Sequence, residues 1–292
     1  MDVVASFPRA SADRRSRFAF IPVTWHLLSL DAPTVAVLWA WSLARAVGVH
    51  PAATTLAVLG AGTWLIYVAD RLLDGHAAGR APGMARDLRE RHYFHARHRR
   101  ALLIAGAAVC AALVFLITRM PAAELREDAW IFAAVAAYSV VVHQPFVRVR
   151  FPRELIVGLV FACACAVPAW AAAGELRTQL IALTAVFAAL CFLNCSAIHA
   201  WEQPQRRWPR VTLLALCVAV AAIGVTLTMR TTEGIRLGVA LLASALLLFA
   251  LDRDQRRGLR KRAPGAALSA LALRILADAA LLTPLLLLPW KL

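Results

Sequence analysis

The chain has 292 residues, 61% of them hydrophobic and only 17% charged, yet its formal net charge is +15. Apolar and basic together describe a membrane protein rather than a soluble domain. A nucleic-acid surface would mix its arginines with polar and aromatic residues, whereas here they stand between apolar blocks, which excludes nucleic acid as a partner.

Residues 1–25 form a basic segment, expected to be cytoplasmic and without the cleavage pattern of a signal peptide. Residues 26–292 then read as one all-α, polytopic membrane domain. Apolar stretches of the roughly 20 residues that a bilayer requires fall at 26–48, 51–70, 101–120, 129–146, 154–173, 178–199, 211–229, 234–251 and 267–289, giving about nine spans. With the N-terminus inside, 24 basic residues lie on the cytoplasmic side and seven on the other, as the positive-inside rule requires. An integral membrane protein of a bacterial plasma membrane is the expected setting.

In the first span, Asp31 precedes Pro33 and has no sequence neighbour to pair with, so its role stays open. The second span ends in "YVADRLLDG", residues 67–75. The cytoplasmic loop 75–100 opens on Gly75, Gly79, Pro82 and Gly83 and closes in a basic helix carrying His92, His95 and His98. Neighbouring arginines would repel a divalent cation from that histidine stripe, so the helix is expected to lie on anionic headgroups or to cover a phosphate site. Arg274 and Asp278, four apart in the last span, are expected to pair along their own helix. All six cysteines lie in apolar runs without a CxxC pair and read as buried small hydrophobes.

An ionisable group within the hydrocarbon costs about 2.5 to 3.5 kcal/mol on insertion scales, so each one is a functional candidate. Asp70 and Asp74 lie one turn apart on one helical face, where two carboxylates repel unless a cation sits between them. Mg²⁺ meets that need, taking one or two carboxylates together with water and phosphate oxygens. The spacing does not fit CDP-alcohol phosphotransferases, whose acidic signature needs aspartates three apart and further acids in the next helix; residues 101–120 contain none.

Asp70-Arg-Leu-Leu-Asp74, at the cytoplasmic end of the second of nine spans, resembles the first aspartate-rich motif of the UbiA-type intramembrane prenyltransferases. Ile66 and Tyr67 stand where that family has an Asn-Asp pair. The second acidic region resembles "LNCSAIHAWEQ", residues 193–203, with Asn194 and Glu202 as ligand candidates and Ile198 in place of an aspartate. Tyr138 and the "RVRFPRELIVG" stretch match the family's tyrosine and basic loop. The resemblance implies a transferase in which Asp70, Asp74, Asn194 and Glu202 hold Mg²⁺. It likewise gives Arg148, Arg150, Arg153, Tyr67, Tyr138 and His199 to the substrate. The implied partners are a polyprenyl diphosphate, a lipophilic acceptor and the surrounding lipids. The alternative is a non-enzymatic relative, or a carrier of small solutes or lipids, that binds an ion or headgroup at the same acidic helix ends.

Overall fold

The computed structural model describes residues 15–80, 90–120, 122, 125–126, 129, 133, 153–202, 210–261 and 268–287; within these, the side chains of 15–20, 74–80, 90–92, 153 and 260–261 fall outside the description. Every described element is helical: α1 (Arg15–Leu27), α2 (Asp31–Ala46), α3 (Ala53–Arg80), α4 (Glu90–Arg97), α5 (Arg99–Ile117), α6 (Arg153–Trp170), a 3-10 turn (Ala171–Leu176), α7 (Arg177–Glu202), α8 (Val211–Thr228), α9 (Thr232–Lys261), α10 (Ala270–Ala280) and α11 (Pro284–Leu287). Five helical stretches are long and apolar enough to cross a membrane, or six if the bent pair α1 and α2 counts as one. The span expected at 129–146 lies almost wholly outside the described residues.

One of the five stretches, Glu154–Glu202, folds back on itself. Gly174 makes the reversal at φ +50° and ψ −124°, a backbone conformation that only glycine adopts without strain. The returning helix α7 then packs along α6, and Gly158 supplies the contact: a Cβ there would lie 2.9 Å from the Phe192 amide nitrogen and 3.0 Å from the Ala188 carbonyl oxygen.

Helix α2 is the hub, packing against α3, α6, α7, α9, α10 and α11. Where lipid replaces water, helices associate through close packing, and small residues permit it. Ala36, Ala40 and Ala44, four apart, are buried along α2. Trp39 of the same helix stacks on Phe187 of α7, with ring centroids 4.0 Å apart, and donates its indole N–H to the Leu281 carbonyl at 2.8 Å. At the periphery, α5 turns Leu103, Ile104, Val114 and Phe115 outward, as a lipid-facing helix does.

Four expected spans change shape. The first is broken: α1 and α2 meet at 91° across residues 28–30, where Ser29 takes φ +60°. Pro33 explains the break, since in a continuous helix its ring would collide with the Ser29 carbonyl and its missing N–H would leave that carbonyl unbonded. The last span stops at Ala280, turns over 281–283 and resumes as α11 at Pro284. The carbonyls freed there gain tertiary partners, Leu281 from Trp39, while the Thr283 hydroxyl donates to the Ala240 carbonyl at 2.8 Å. Helices α3 and α9 run past the apolar limits expected for them, reaching Arg80 and Lys261: neither extension contains a proline, and Gly75, Gly79 and Gly258 weaken a helix without ending it. The cysteine expectation is corrected as well. Cys165 and Cys191 are buried, but Cys110, Cys163 and Cys217 are exposed, because an apolar residue in such a bundle can equally face outward.

Candidate functional site

Helices α2, α6, α8 and α10 begin at one end of the bundle, and α3, α7 and α9 finish there. A buried polar centre occupies this end, and the right-angle bend between α1 and α2 builds it. Turning the chain through 91° within three residues brings His26, in the last turn of α1, onto Asp31, the first residue of α2. The His26 Nδ1 and Asp31 Oδ2 lie 2.7 Å apart. Asp31, thought to be without a neighbour, is thus paired through the bend. Its other oxygen accepts the Ala32 N–H at 2.9 Å, and its charge sits at the positive end of the α2 dipole.

Two further layers close around this pair. From α10, the Asp278 carboxylate stands 3.7 Å from His26 Nδ1 and accepts the Asn194 amide N–H of α7 at 3.3 Å. From α3, the buried Arg71 guanidinium donates to the Ser29 hydroxyl and, at 3.5 Å, to the His26 carbonyl. Its Cζ also lies 5.7 Å from the centre of the Tyr67 ring, within cation–π range. Ser29 in turn meets His95 Nε2 of α4 at 3.1 Å. The backbone of the bend is satisfied by the same neighbours, with Trp64 Nε1 donating to the Leu28 carbonyl at 3.0 Å.

A second polar layer lies at the helix ends. Glu202, at the end of α7, is ion-paired with Arg274 of α10, and both are mostly buried. Nearby along α7, His199 Nδ1 is 2.9 Å from Glu154 Oε1 of α6. Removing two charges from water is costly, and such a pair holds only when its geometry and its other hydrogen bonds are good. A third carboxylate, Asp252 of α9, accepts from Trp201 Nε1 at 3.1 Å, Thr212 Oγ1 at 2.8 Å and Arg256 Nε at 2.8 Å, joining the ends of three helices.

The residues singled out from the sequence distribute over this architecture as follows. Asp70 is half-buried on α3, one turn beyond Tyr67. Asp74 belongs to the same helix, but its side chain lies outside the described residues, as does that of Arg153 at the start of α6. Tyr138, Arg148 and Arg150 lie outside the described residues altogether. Asn194 reaches Asp278, Glu202 reaches Arg274, and His199 reaches Glu154. Tyr67 is half-buried on α3, with the Arg71 guanidinium 5.7 Å from its ring centre.

Arg274 and Asp278 share a helix and act on each other electrostatically, and each also reaches other helices, Arg274 to Glu202 and Asp278 to Asn194 and His26. Of the histidine stripe, which was not expected to hold a metal, His95 is buried against Ser29, His98 is exposed and bonds the Phe94 carbonyl of its own turn at 2.9 Å, and the His92 side chain lies outside the described residues. His26, Ser29 and Glu154 carried no motif in the sequence. Only Pro33, as a helix breaker next to an acid, hinted at the bend that assembles the centre. Compared with protein-family models, with curated proteins and with solved structures, the chain matches none.

Proposed function

We propose that the protein is an intramembrane prenyltransferase of the UbiA type, moving a polyprenyl group from its diphosphate to a lipophilic acceptor at the cytoplasmic face. The observation that carries the proposal is a buried polar centre inside an otherwise apolar bundle, next to the helix that bears Asp70 and Asp74: Arg71, adjacent in sequence to Asp70, donates to Ser29 within it.

The donor set bears on magnesium in a specific way. Asp70 is half-buried on α3, where its apolar stretch gives out and nearly three turns before the helix ends at Arg80, and has Asp74 in the i+4 register, which suits an ion that keeps water and phosphate oxygens as its other ligands. Glu202 would have to leave Arg274 to join them, so the reading rests the ion on Asp70 and Asp74. When bound, magnesium would neutralise charge growing on the departing diphosphate. Arg148, Arg150 and Arg153 would grip the diphosphate oxygens as forked donors. The allylic C–O bond breaks with its electron pair leaving on the diphosphate; the acceptor then bonds to the allylic carbon and loses a proton. The apolar bundle keeps water from the cation in between.

The engagement of Glu202 and Asn194 with Arg274 and Asp278 favours a second reading, a non-catalytic relative that binds an ion or a lipid headgroup. Purified protein in nanodiscs, given Mg²⁺, polyprenyl diphosphates and aromatic or lipid acceptors, separates the two. Pyrophosphate release that is lost in Asp70→Asn and Asp74→Asn supports the transferase. Release that persists unchanged in both, or is absent from the wild type, overturns it.

A further inference from the structure

The polar centre contains a set of donors that the transferase reading leaves unused. His26 Nδ1 and one carboxylate oxygen each from Asp31 and Asp278 all lie within 4.8 Å of one another. They come from three helices, α1, α2 and α10, held together by the bend and by packing against α7. Beside them is Asn194, only 6% exposed. Its amide nitrogen is spent on Asp278, whereas its Oδ1 is buried and has no hydrogen-bond partner among the described residues. A buried carbonyl oxygen without a donor costs about 1 to 3 kcal/mol, so its position calls for a ligand that an oxygen lone pair can bind.

We propose that His26, Asp31 and Asp278, together with Asn194 Oδ1, form a binding site for one divalent transition-metal ion of the Mn²⁺ or Zn²⁺ class. The site is separate from Asp70 and Asp74, and the proposal stands whether or not the protein transfers prenyl groups. Imidazole nitrogen with carboxylate oxygens is a ligand set that such ions accept. Bonds of about 2.0 to 2.2 Å put neighbouring donors roughly 3 to 3.5 Å apart. The observed 2.7 Å and 3.7 Å separations from His26 Nδ1 bracket that spacing, so small rotamer adjustments complete the cage. A neutral imidazole with two carboxylates carries two negative charges, which a divalent ion balances. Arg71 and Arg274 stand close enough to weaken binding electrostatically, but each has contacts of its own, on Ser29 and on Glu202. A metal here would tie α1, α2, α7 and α10 together and fix the right-angle bend.

The test uses the full chain in nanodiscs, stripped of metal and titrated with Mn²⁺ under electron paramagnetic resonance. The expected result is a bound Mn²⁺ whose spin-echo spectrum carries the nitrogen coupling of a coordinated imidazole, displaced by Zn²⁺ and distinct from any ion without that coupling at Asp70 and Asp74. His26→Gln should abolish that coupling, Asp278→Asn should weaken binding at least tenfold, and Asp70→Asn should leave the coupled signal intact. Should the Asp278 or His26 variant fail to fold, wild-type protein with ¹⁵N-labelled histidine decides the matter, because the coupling must change to the ¹⁵N pattern. Absence of bound Mn²⁺, binding without any nitrogen-coupled ion, or binding that ignores both substitutions overturns the site. Pyrophosphate release that ignores Asp70→Asn, with the nitrogen-coupled ion present, would overturn the transferase alone; release lost in Asp70→Asn, with no nitrogen-coupled ion in the wild type, would overturn the metal site alone.

Discussion

Gly158 gives the sharpest test of the hairpin that carries Asn194, His199 and Glu202 into position. Replacing it with alanine puts a methyl carbon 2.9 Å from the Phe192 amide nitrogen, 3.0 Å from the Ala188 carbonyl oxygen and 3.3 Å from the Cys191 Cβ. Two of these are backbone atoms that cannot rotate away. Non-bonded atoms prefer about 3.5 to 4.0 Å, so α6 and α7 must part by roughly half an ångström, enough to forfeit a quarter or more of each local contact. Overpacking of this kind costs about 1 to 3 kcal/mol. Alanine also gains up to about 1 kcal/mol over glycine in helix propensity, which partly masks the loss. Gly224 on α8 supplies the control, since a Cβ there meets nothing within 4 Å and Gly224→Ala collects the propensity gain alone. Reversible unfolding of both variants in mixed micelles with SDS, followed by far-UV circular dichroism, isolates the steric cost as their difference. Equal shifts in the two variants would refute the close approach of α6 to α7.

Asp252 is 1% exposed and accepts three hydrogen bonds, so Asp252→Ala strands the Trp201 and Thr212 donors. The expected loss is about 2 to 4 kcal/mol in the same unfolding assay; a loss under about half a kcal/mol would mean that water already reaches that cluster. For the Glu202–Arg274 pair, Arg274→Met alone should destabilise by about 3 to 5 kcal/mol, and Glu202→Gln added to it should recover much of that. Purely additive losses in the double-mutant cycle would remove the pair as a coupled unit. Trp39→Phe keeps the ring stacking on Phe187 but loses the donor to Leu281, and should cost about 1 kcal/mol. A neutral effect would show that the α10 to α11 turn does not depend on this bond.

Helix positions were legible in the sequence because long apolar runs are set by the bilayer and not by partners. The starts expected at 154, 178, 211 and 234 lie within two residues of α6, α7, α8 and α9. The i, i+4 register of Asp70 and Asp74 was legible for the same reason, since helical periodicity alone assigns it. Breaks within a span were harder to see. Pro33 marks the bend before α2 and Pro284 the start of α11, but a proline in an apolar run also occurs inside continuous membrane helices, as Pro168 does in α6.

What the sequence by itself determined is therefore an apolar, all-helical chain whose charges collect at the helix ends, because local hydropathy and periodicity need no knowledge of neighbours. Tertiary structure alone decided who meets whom. Asn194 and Asp278 touch across 84 residues, and Trp39 and Leu281 across 242. Glu202 has Arg274 at its side, a partner 72 positions further along the chain. Such pairings depend on the rotation of each helix about its own axis, on the bend at Ser29 and on the reversal at Gly174. Rotation follows from the packing of small residues such as Ala36, Ala40, Ala44 and Gly158, a term that no single helix's sequence contains.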